Sequence, residues 1–435
     1  MPETGQTLLA RYQFGGFVPK GRIRLSAVEL FVVCIGVFLA PYANLRFSEL
    51  FFTFSDFFFC LSLVILLICG RIQRRPLNEA TQIWLLAFAL MSVGLMVGSF
   101  SQSRPDRGLI VIAQYFFSYL FLMLILVRKD PREAYLLAAV FLASIILVDV
   151  HGIYTFYQVG YVPGQGKGVV TGGRRLATVL RNPNLAASMN ALTMPILLYF
   201  WSSHRLKIYF ALPLVGIMLL TVVLTSSNSG LFMTMVSLSV FSASILTTRL
   251  MLRVTLGVGI LVGVLAAFGG TDLLPLAFQK RVLNAFASGN ISEAGNFISR
   301  TDLIKEAIDV IAEERIIVVG IGADQFRERS VQEAPVHNLY LLLWVEGGLL
   351  AVIGWVLFSG VGVLLWFSIR KAGGSKAALA VVATVVAVFL TIALFNPHMY
   401  ARYWTLPVFL CFGLGLAQQK RVHPSGGVRL DKNSV

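Results

Sequence analysis

Charge is the scarcest property of this chain. Only 13% of its 435 residues are Asp, Glu, Lys or Arg, against about 25% in a typical soluble domain. That shortage excludes an ordinary water-soluble globule. Cysteine is scarce too. Cys34, Cys60, Cys69 and Cys411 all fall inside apolar stretches with no CxxC pair, which excludes a disulfide framework or a zinc site. Asp272 and Asp324 stand singly between apolar runs, with no DxD pair and no His/Cys cluster. Metal-dependent chemistry is therefore disfavoured, and no cofactor is expected. Val319-Gly320-Ile321-Gly322 lacks the remaining glycine and the strand-helix setting of a nucleotide loop, and reads as a turn.

What the chain has is apolar length. Hydrophobic residues make up 57%, in runs long enough to cross about 30 Å of hydrocarbon as helices. A β-barrel would need shorter alternating segments. The expected fold is all-α and polytopic, with about twelve spans near 26–45, 50–70, 79–99, 107–127, 133–155, 183–201, 206–224, 230–247, 250–268, 337–367, 376–395 and 401–417. No convincing small-residue cleavage site follows 39–41, so the first span reads as uncleaved.

The net charge of +15 does not indicate nucleic acid, because the basic residues lie between apolar runs rather than on a soluble face. They set topology instead. With both termini cytoplasmic, the inner segments hold Arg71, Arg74, Arg75, Arg128, Lys129, Arg132, Arg205, Lys207, Arg249, Arg253, Arg370, Lys371 and Lys376. The short outer connections hold only Arg46, Arg104, Arg107 and Arg402, as the positive-inside rule requires. The organisation expected is a cytoplasmic tail (1–25), nine spans with an outer loop at 156–182 (26–268), a large outer loop (269–336), three spans (337–417) and a second tail (418–435).

The two long outer segments are where chemistry is expected. In the first, Arg174, Arg175 and Arg181 crowd ahead of Asn182-Pro183-Asn184, which opens a span. Pro183 suits the first helical turn, so Arg181 stands beside a helix N-terminus, where free N–H groups favour an anion. The guanidinium fork matches phosphate oxygens; anchoring to lipid headgroups is the plainer role. In the second loop, Leu303, Ile304, Ala307, Ile308 and Ile311 recur at helical spacing, and Ser299 with Asp302 resembles a capping box. Arg300 opens this amphipathic helix and suits the same phosphate, or else a salt bridge with Asp302, Glu306 or Glu293. His337 then enters the tenth span, with Tyr340, Leu341 and Trp344 following. It is a candidate proton acceptor, although a lone histidine at a membrane boundary is commonly structural. Asp149, His151, Glu346 and His398 are weaker candidates.

Three stretches carry a resemblance: RNPNLAAS opening a span, SRTDLIKEAIDVIAEERIIVVGIGADQF in the large loop, and HNLYLLLWVEGGLLA beginning the next span. Together they resemble the bacterial O-antigen ligase and polymerase superfamily of membrane glycosyltransferases, in order and spacing along 181–351. The loop helix departs from the family pattern, having Ser299 where a glycine is common and no tryptophan further on.

The resemblance implies an enzyme of the bacterial inner membrane that faces the periplasm. It would move polysaccharide, without a metal, from undecaprenyl diphosphate to a sugar hydroxyl of lipid A core. It further implies activity roles for Arg181, Arg300 and His337. On this reading Arg181 and Arg300, assisted by Arg174 or Arg175, hold the diphosphate while His337 takes the acceptor proton in an inverting displacement. The partners expected are the lipid-linked polysaccharide, the core oligosaccharide and membrane lipids. An O-antigen polymerase is the nearest rival. A lipid-linked oligosaccharide flippase is the rival of another class, for which Glu29, Asp56 and Glu346 are the acids in or near spans.

Overall fold

The computed structural model describes residues 20–47, 52–158, 168–171, 173–247, 249, 274–283, 297–313, 316 and 318–418. Its elements are α1 (Lys20–Leu39), α2 (Phe54–Ile68), α3 (Ala80–Ser101), α4 (Pro105–Leu126), α5 (Pro131–Gln158), α6 (Pro183–Ser202), α7 (Ile208–Thr225), α8 (Asn228–Ile245), α9 (Phe297–Glu313), α10 (Leu339–Lys371), α11 (Lys376–Ala393) and α12 (Arg402–Ala417). Eight of these are long and apolar enough to cross a membrane, and the apolar part of α1, α2 and α12 are shorter apolar helices. The chain is an all-α, multi-pass membrane protein. Strand is confined, among the described residues, to two two-residue pairings, Arg46–Phe47 with Phe52–Thr53 and Val170–Thr171 with Arg175–Leu176.

Helix ends differ from expectation for local reasons. α1 stops at Leu39 rather than near 45, because Pro41 disfavours helical backbone at Ala40. α5 runs to Gln158, so Asp149 lies buried inside it and hydrogen-bonds Asn190 of α6 at 3.1 Å instead of ending the span. His151 is exposed. Ser299 lies within α9 and is not its cap. The expected ninth span, 250–268, falls outside the described residues. Its described flanks lie at opposite ends of the bundle: Ile245 lines a cavity with Trp201 and Ile208, whereas Asn228, at the other end of α8, donates to the Arg281 carbonyl.

Both described chain ends meet the same face of the bundle. Ser26 of α1 bonds Arg71, and Gln418 bonds Tyr199 at 3.1 Å beside Tyr135. This face carries a buried ion-pair network. Arg128 reaches Glu29 at 2.6 Å, Ser62 donates to the same carboxylate, and Arg71 pairs with Glu133 at 2.7 Å. At the opposite face Asp56, in a capping box with Thr53, pairs with Arg402 at 2.8 Å. Glu29 and Asp56, two of the three acids that a transporter would use, are thus held by arginines.

Two departures from regular helix shape the site. Within α4, residues Phe116–Phe121 form a π-helical turn, which frees the Tyr119 carbonyl to accept from Trp84 Nε1 at 2.9 Å. The same turn aims Ser118 at the Tyr400 carbonyl and the Tyr119 hydroxyl at the Met399 carbonyl, 3.1 Å away.

α10 breaks at Gly348 (φ 66°, ψ −166°). There the Val345 and Glu346 carbonyls accept the N–H groups of Ile321 and Gly322, at 2.8 and 2.9 Å, in place of helical donors. The 319–322 stretch expected as a turn is therefore a backbone insert against a broken helix, which keeps its polar groups satisfied in an apolar interior. Only glycine fits this junction. A Cβ on Gly348 would lie 2.1 Å from the Val318 carbonyl, and one on Gly98 of α3 would lie 2.6 Å from that of Glu346.

Candidate active site

Asn182-Pro183-Asn184 does two local jobs. Asn182 caps α6, accepting the N–H groups of Asn184 and Leu185 at 2.9 and 3.2 Å. Asn184 accepts from Arg175 Nη2 at 3.1 Å and from Ser227 Oγ at 2.9 Å. Arg175 Nε also donates to the Thr225 carbonyl at 2.9 Å. These bonds fix Arg175 across the ends of α6 and α7. Arg174 lies 5.2 Å over the Phe156 ring. Arg181 is exposed in left-handed backbone (φ 55°) at the end of a short turn. The amides that would have helped it hold an anion are already taken by Asn182.

Arg174 and Arg175 line a cavity of about 860 Å³ together with Lys280 and Arg281. Phe156, Tyr157, Leu274, Pro275 and Leu276 supply apolar wall. Lys280 and Arg281 were not singled out from the sequence. The available signal was the pairing of two cations in the large loop. Arg281 Nε is buried and has no hydrogen-bond partner among the described residues. Burial and Arg281 together push the Arg175 guanidinium down to about 10, and they lower Arg300 likewise. Arg281 thus acts electrostatically on one arginine of each loop. The ion pairs of the described residues lie elsewhere, and none involves these cations. Clustered positive charge that faces no carboxylate among the described residues favours an anion.

Arg300 is placed by α9, which packs on α10 through Leu303, Ala307, Leu342 and Val345. The amphipathic pattern holds except at Ile308, which is 52% exposed. Glu306 accepts the Val331 N–H at 2.8 Å, tying α9 to the segment leading to His337.

His337 lies just before α10, whose cap is Asn338, bonded to the Leu341 N–H at 3.2 Å. Its Nδ1 is 3.1 Å from the Pro335 carbonyl. A carbonyl only accepts, so Nδ1 carries the proton, and Nε2 has no hydrogen-bond partner among the described residues. Burial, then Arg300, then His398 hold its pKa below the ordinary 6.5, so the imidazole is neutral at pH 7 and able to take a proton. His398 follows α11 and is bonded through Nδ1 to the Tyr400 hydroxyl at 2.9 Å, while its carbonyl accepts from Trp404 Nε1. Burial lowers the His398 pKa as well, with Asp324 opposing and Arg327 reinforcing the shift.

Of the residues expected from sequence, then, Arg174 and Arg175 line one cavity with Arg281, Arg281 acts electrostatically on Arg175 and Arg300, and Arg300 acts on His337. Arg181 is outside the cavity lining. Among the weaker candidates, His398 acts electrostatically on His337. Glu346 accepts the backbone N–H groups of Asp324 and Phe326 and so seats the loop. No curated protein matches the chain. Residues 213–356, which include Lys280, Arg281, Arg300 and His337 and stop short of Arg174, Arg175 and Arg181, match the family described as O-antigen ligase. The matched segment thus carries Lys280 and Arg281 of the cavity together with Arg300 and His337, and its likeness to the O-antigen ligase family is what the comparisons show.

Proposed function

We propose that the chain is an O-antigen ligase that transfers polysaccharide from undecaprenyl diphosphate to a sugar hydroxyl of lipid A core, at the periplasmic face of the bacterial inner membrane. The observation that carries this reading is the cavity lined by Arg174, Arg175, Lys280 and Arg281, with Arg281 acting electrostatically on Arg300 and Arg300 on His337. A diphosphate neutralises the cations, and the apolar wall suits the polyprenyl chain. Arg181, exposed beside this cavity's loop, guides the anion inward.

In the reaction the acceptor oxygen attacks the anomeric carbon and the bond from that carbon to the diphosphate oxygen breaks with inversion. The bonding pair leaves on the diphosphate, where Arg175, Arg281 and Arg300 stabilise the growing charge. The hydroxyl proton passes to His337 Nε2. Fixed arginines supply this stabilisation without a metal. Twelve crossings, with both termini cytoplasmic, are supported by the chain ends sharing one face and by the basic residues gathered there.

Purified protein given a defined lipid-diphosphate donor and core acceptor should form the glycosidic product without an applied membrane potential. Formation of none, with intact donor and acceptor recovered, removes the ligase reading. In cells, loss of a ligase leaves bare core and accumulated lipid-linked polymer, whereas loss of a polymerase leaves core capped by a single repeat.

A further inference from the structure

The connection from α7 to α8, Thr225-Ser226-Ser227-Asn228, has no part in the transfer reaction, yet its polar groups reach both loops that line the cavity. α7 ends where Ser226 takes left-handed backbone (φ 50°), so the Thr225 carbonyl is among those that a helix end leaves for other donors. It accepts from Arg175 Nε at 2.9 Å, a pairing of cation and helix C-terminus that the dipole favours. Ser227 caps α8, its Oγ accepting the Gly230 N–H at 3.2 Å. The same hydroxyl donates to Asn184 Oδ1 at 2.9 Å, and that oxygen also accepts from Arg175 Nη2 at 3.1 Å. The single proton of Ser227 and both lone pairs of the Asn184 oxygen are thereby used. Asn228, the first residue of α8, donates from Nδ2 to the Arg281 carbonyl at 3.1 Å.

The elements so joined have little room to slide. A Cβ on Gly230 would lie 2.1 Å from that of Ala187, so the start of α8 sits directly on α6. Asn182 supplies the cap of α6, which leaves the Asn184 side chain for Arg175 and Ser227. Arg175 comes from the first outer loop and Arg281 from the second, and both line the cavity. One turn therefore locates both, Arg175 by its guanidinium and Arg281 by its backbone. Arg174 is held differently, over the Phe156 ring.

A monophosphate can be met by cations at a single point. A diphosphate presents two linked phosphoryl groups, which two guanidinium forks match only when their separation is fixed. We infer that Asn184 and Asn228 are positioning residues that hold Arg175 and Arg281 in register, with Ser227 orienting Asn184, and that this register selects a lipid diphosphate over a lipid monophosphate. The inference rests on the reading of the cavity as the donor's diphosphate site. Neither asparagine meets the reacting atoms; each acts through an arginine.

The test uses full-length protein in nanodiscs and two probes on the same fluorescent polyprenyl chain, one a diphosphate and one a monophosphate. Wild-type protein should bind the diphosphate about tenfold or more tightly than the monophosphate, as expected for an added charge-assisted contact. Asn184→Ala should weaken diphosphate binding about tenfold and leave the monophosphate within about threefold, because it frees the Arg175 fork without removing its charge. Asn228→Ala should act in the same direction and less strongly, since it releases only the backbone of Arg281. In the transfer assay donor KM should rise in both variants with acceptor KM unchanged, a split that general loosening of the bundle would not give. Retained monophosphate binding shows that each variant is folded.

A diphosphate preference equal to wild type in both variants would overturn the positioning role and leave the donor reading intact. So would an equal loss of both probes in variants that keep the wild-type Tm, because a register acts on the difference between them. Wild-type protein that binds the two probes equally would overturn the selection. Wild-type protein that binds neither would remove the donor reading, and this inference with it.

Discussion

On the Arg281 side of His337, Arg174, Arg175, Lys280, Arg281 and Arg300 share one region with no paired carboxylate among the described residues. On the His398 side, Arg104, Arg107, Arg327 and Arg329 alternate with Asp106, Asp324, Glu328 and Glu333. The same side-chain chemistry thus builds two different environments. On the proposed reading, guanidinium groups that face no carboxylate among the described residues favour a diphosphate, which would make the first region a preorganised anion site. Interleaved charges leave no such deficit, and what remains is hydrogen-bonding capacity. His337 stands at the junction, neutral and with no partner on Nε2 among the described residues.

The largest expected effect tests the junction itself. His337→Ala should lower the transfer rate by about 10² to 10⁴ and leave lipid-diphosphate binding close to wild type; near-normal transfer would remove His337 as the proton acceptor. Next comes the uncompensated region. Arg281→Ala should cost about 10² to 10³ in kcat, with weaker donor binding, and Arg175→Ala a comparable amount. Arg181→Ala should cost less than either, since its side chain does not line the cavity. A reversed order, with Arg181 dominant, would mean that the donor sits outside the cavity.

The junction depends on how the loop is seated, which a glycine can probe. Gly348→Ala puts a Cβ 2.1 Å from the Val318 carbonyl at positive φ, with an expected loss of roughly 1–3 kcal/mol. Acceptor and donor steps should suffer together, seen as a lower Tm and a joint fall in activity. Selective damage to one step would mean that the two sides are positioned independently.

Acidity should act on His337 first. Because its folded pKa lies below 6.5, the neutral form persists into mildly acidic solution. Activity should therefore be level around pH 7 and fall as pH drops through that lowered value. A bound diphosphate favours the charged form, so the acid limb of kcat should lie at higher pH than that of kcat/KM. The smallest effect separates the two regions directly. Raising salt from about 0.05 to 0.5 M, which shortens the screening length several-fold, should raise donor KM more than acceptor KM. An equal response of both constants would erase the distinction.

Much of this was legible in the sequence. Low charge, apolar length and the asymmetric placement of Arg and Lys are enough for a multi-pass helical membrane protein, because the cost of exposing backbone to hydrocarbon leaves few alternatives. Asn182-Pro183 marked the start of α6 to the residue, and the i, i+4 apolar pattern marked α9. Arg300 could be nominated because it opens that amphipathic helix, and His337 because it enters a span at its outer end.

What tertiary structure alone decided was which of these groups meet. Arg181 and Arg175 are neighbours in sequence, yet only Arg175 is turned into the cavity, by its bonds to Thr225 and Asn184 from different helices. Arg281 showed no more than its pairing with Lys280, since its importance lies in acting on arginines of two loops far apart in the chain. The break at Gly348 was invisible to periodicity, because the carbonyls it frees are satisfied by residues 321 and 322. Local sequence sets which helices form and where they end. Long-range hydrogen bonds and charge proximity set the site, and those depend on distances that no local pattern encodes.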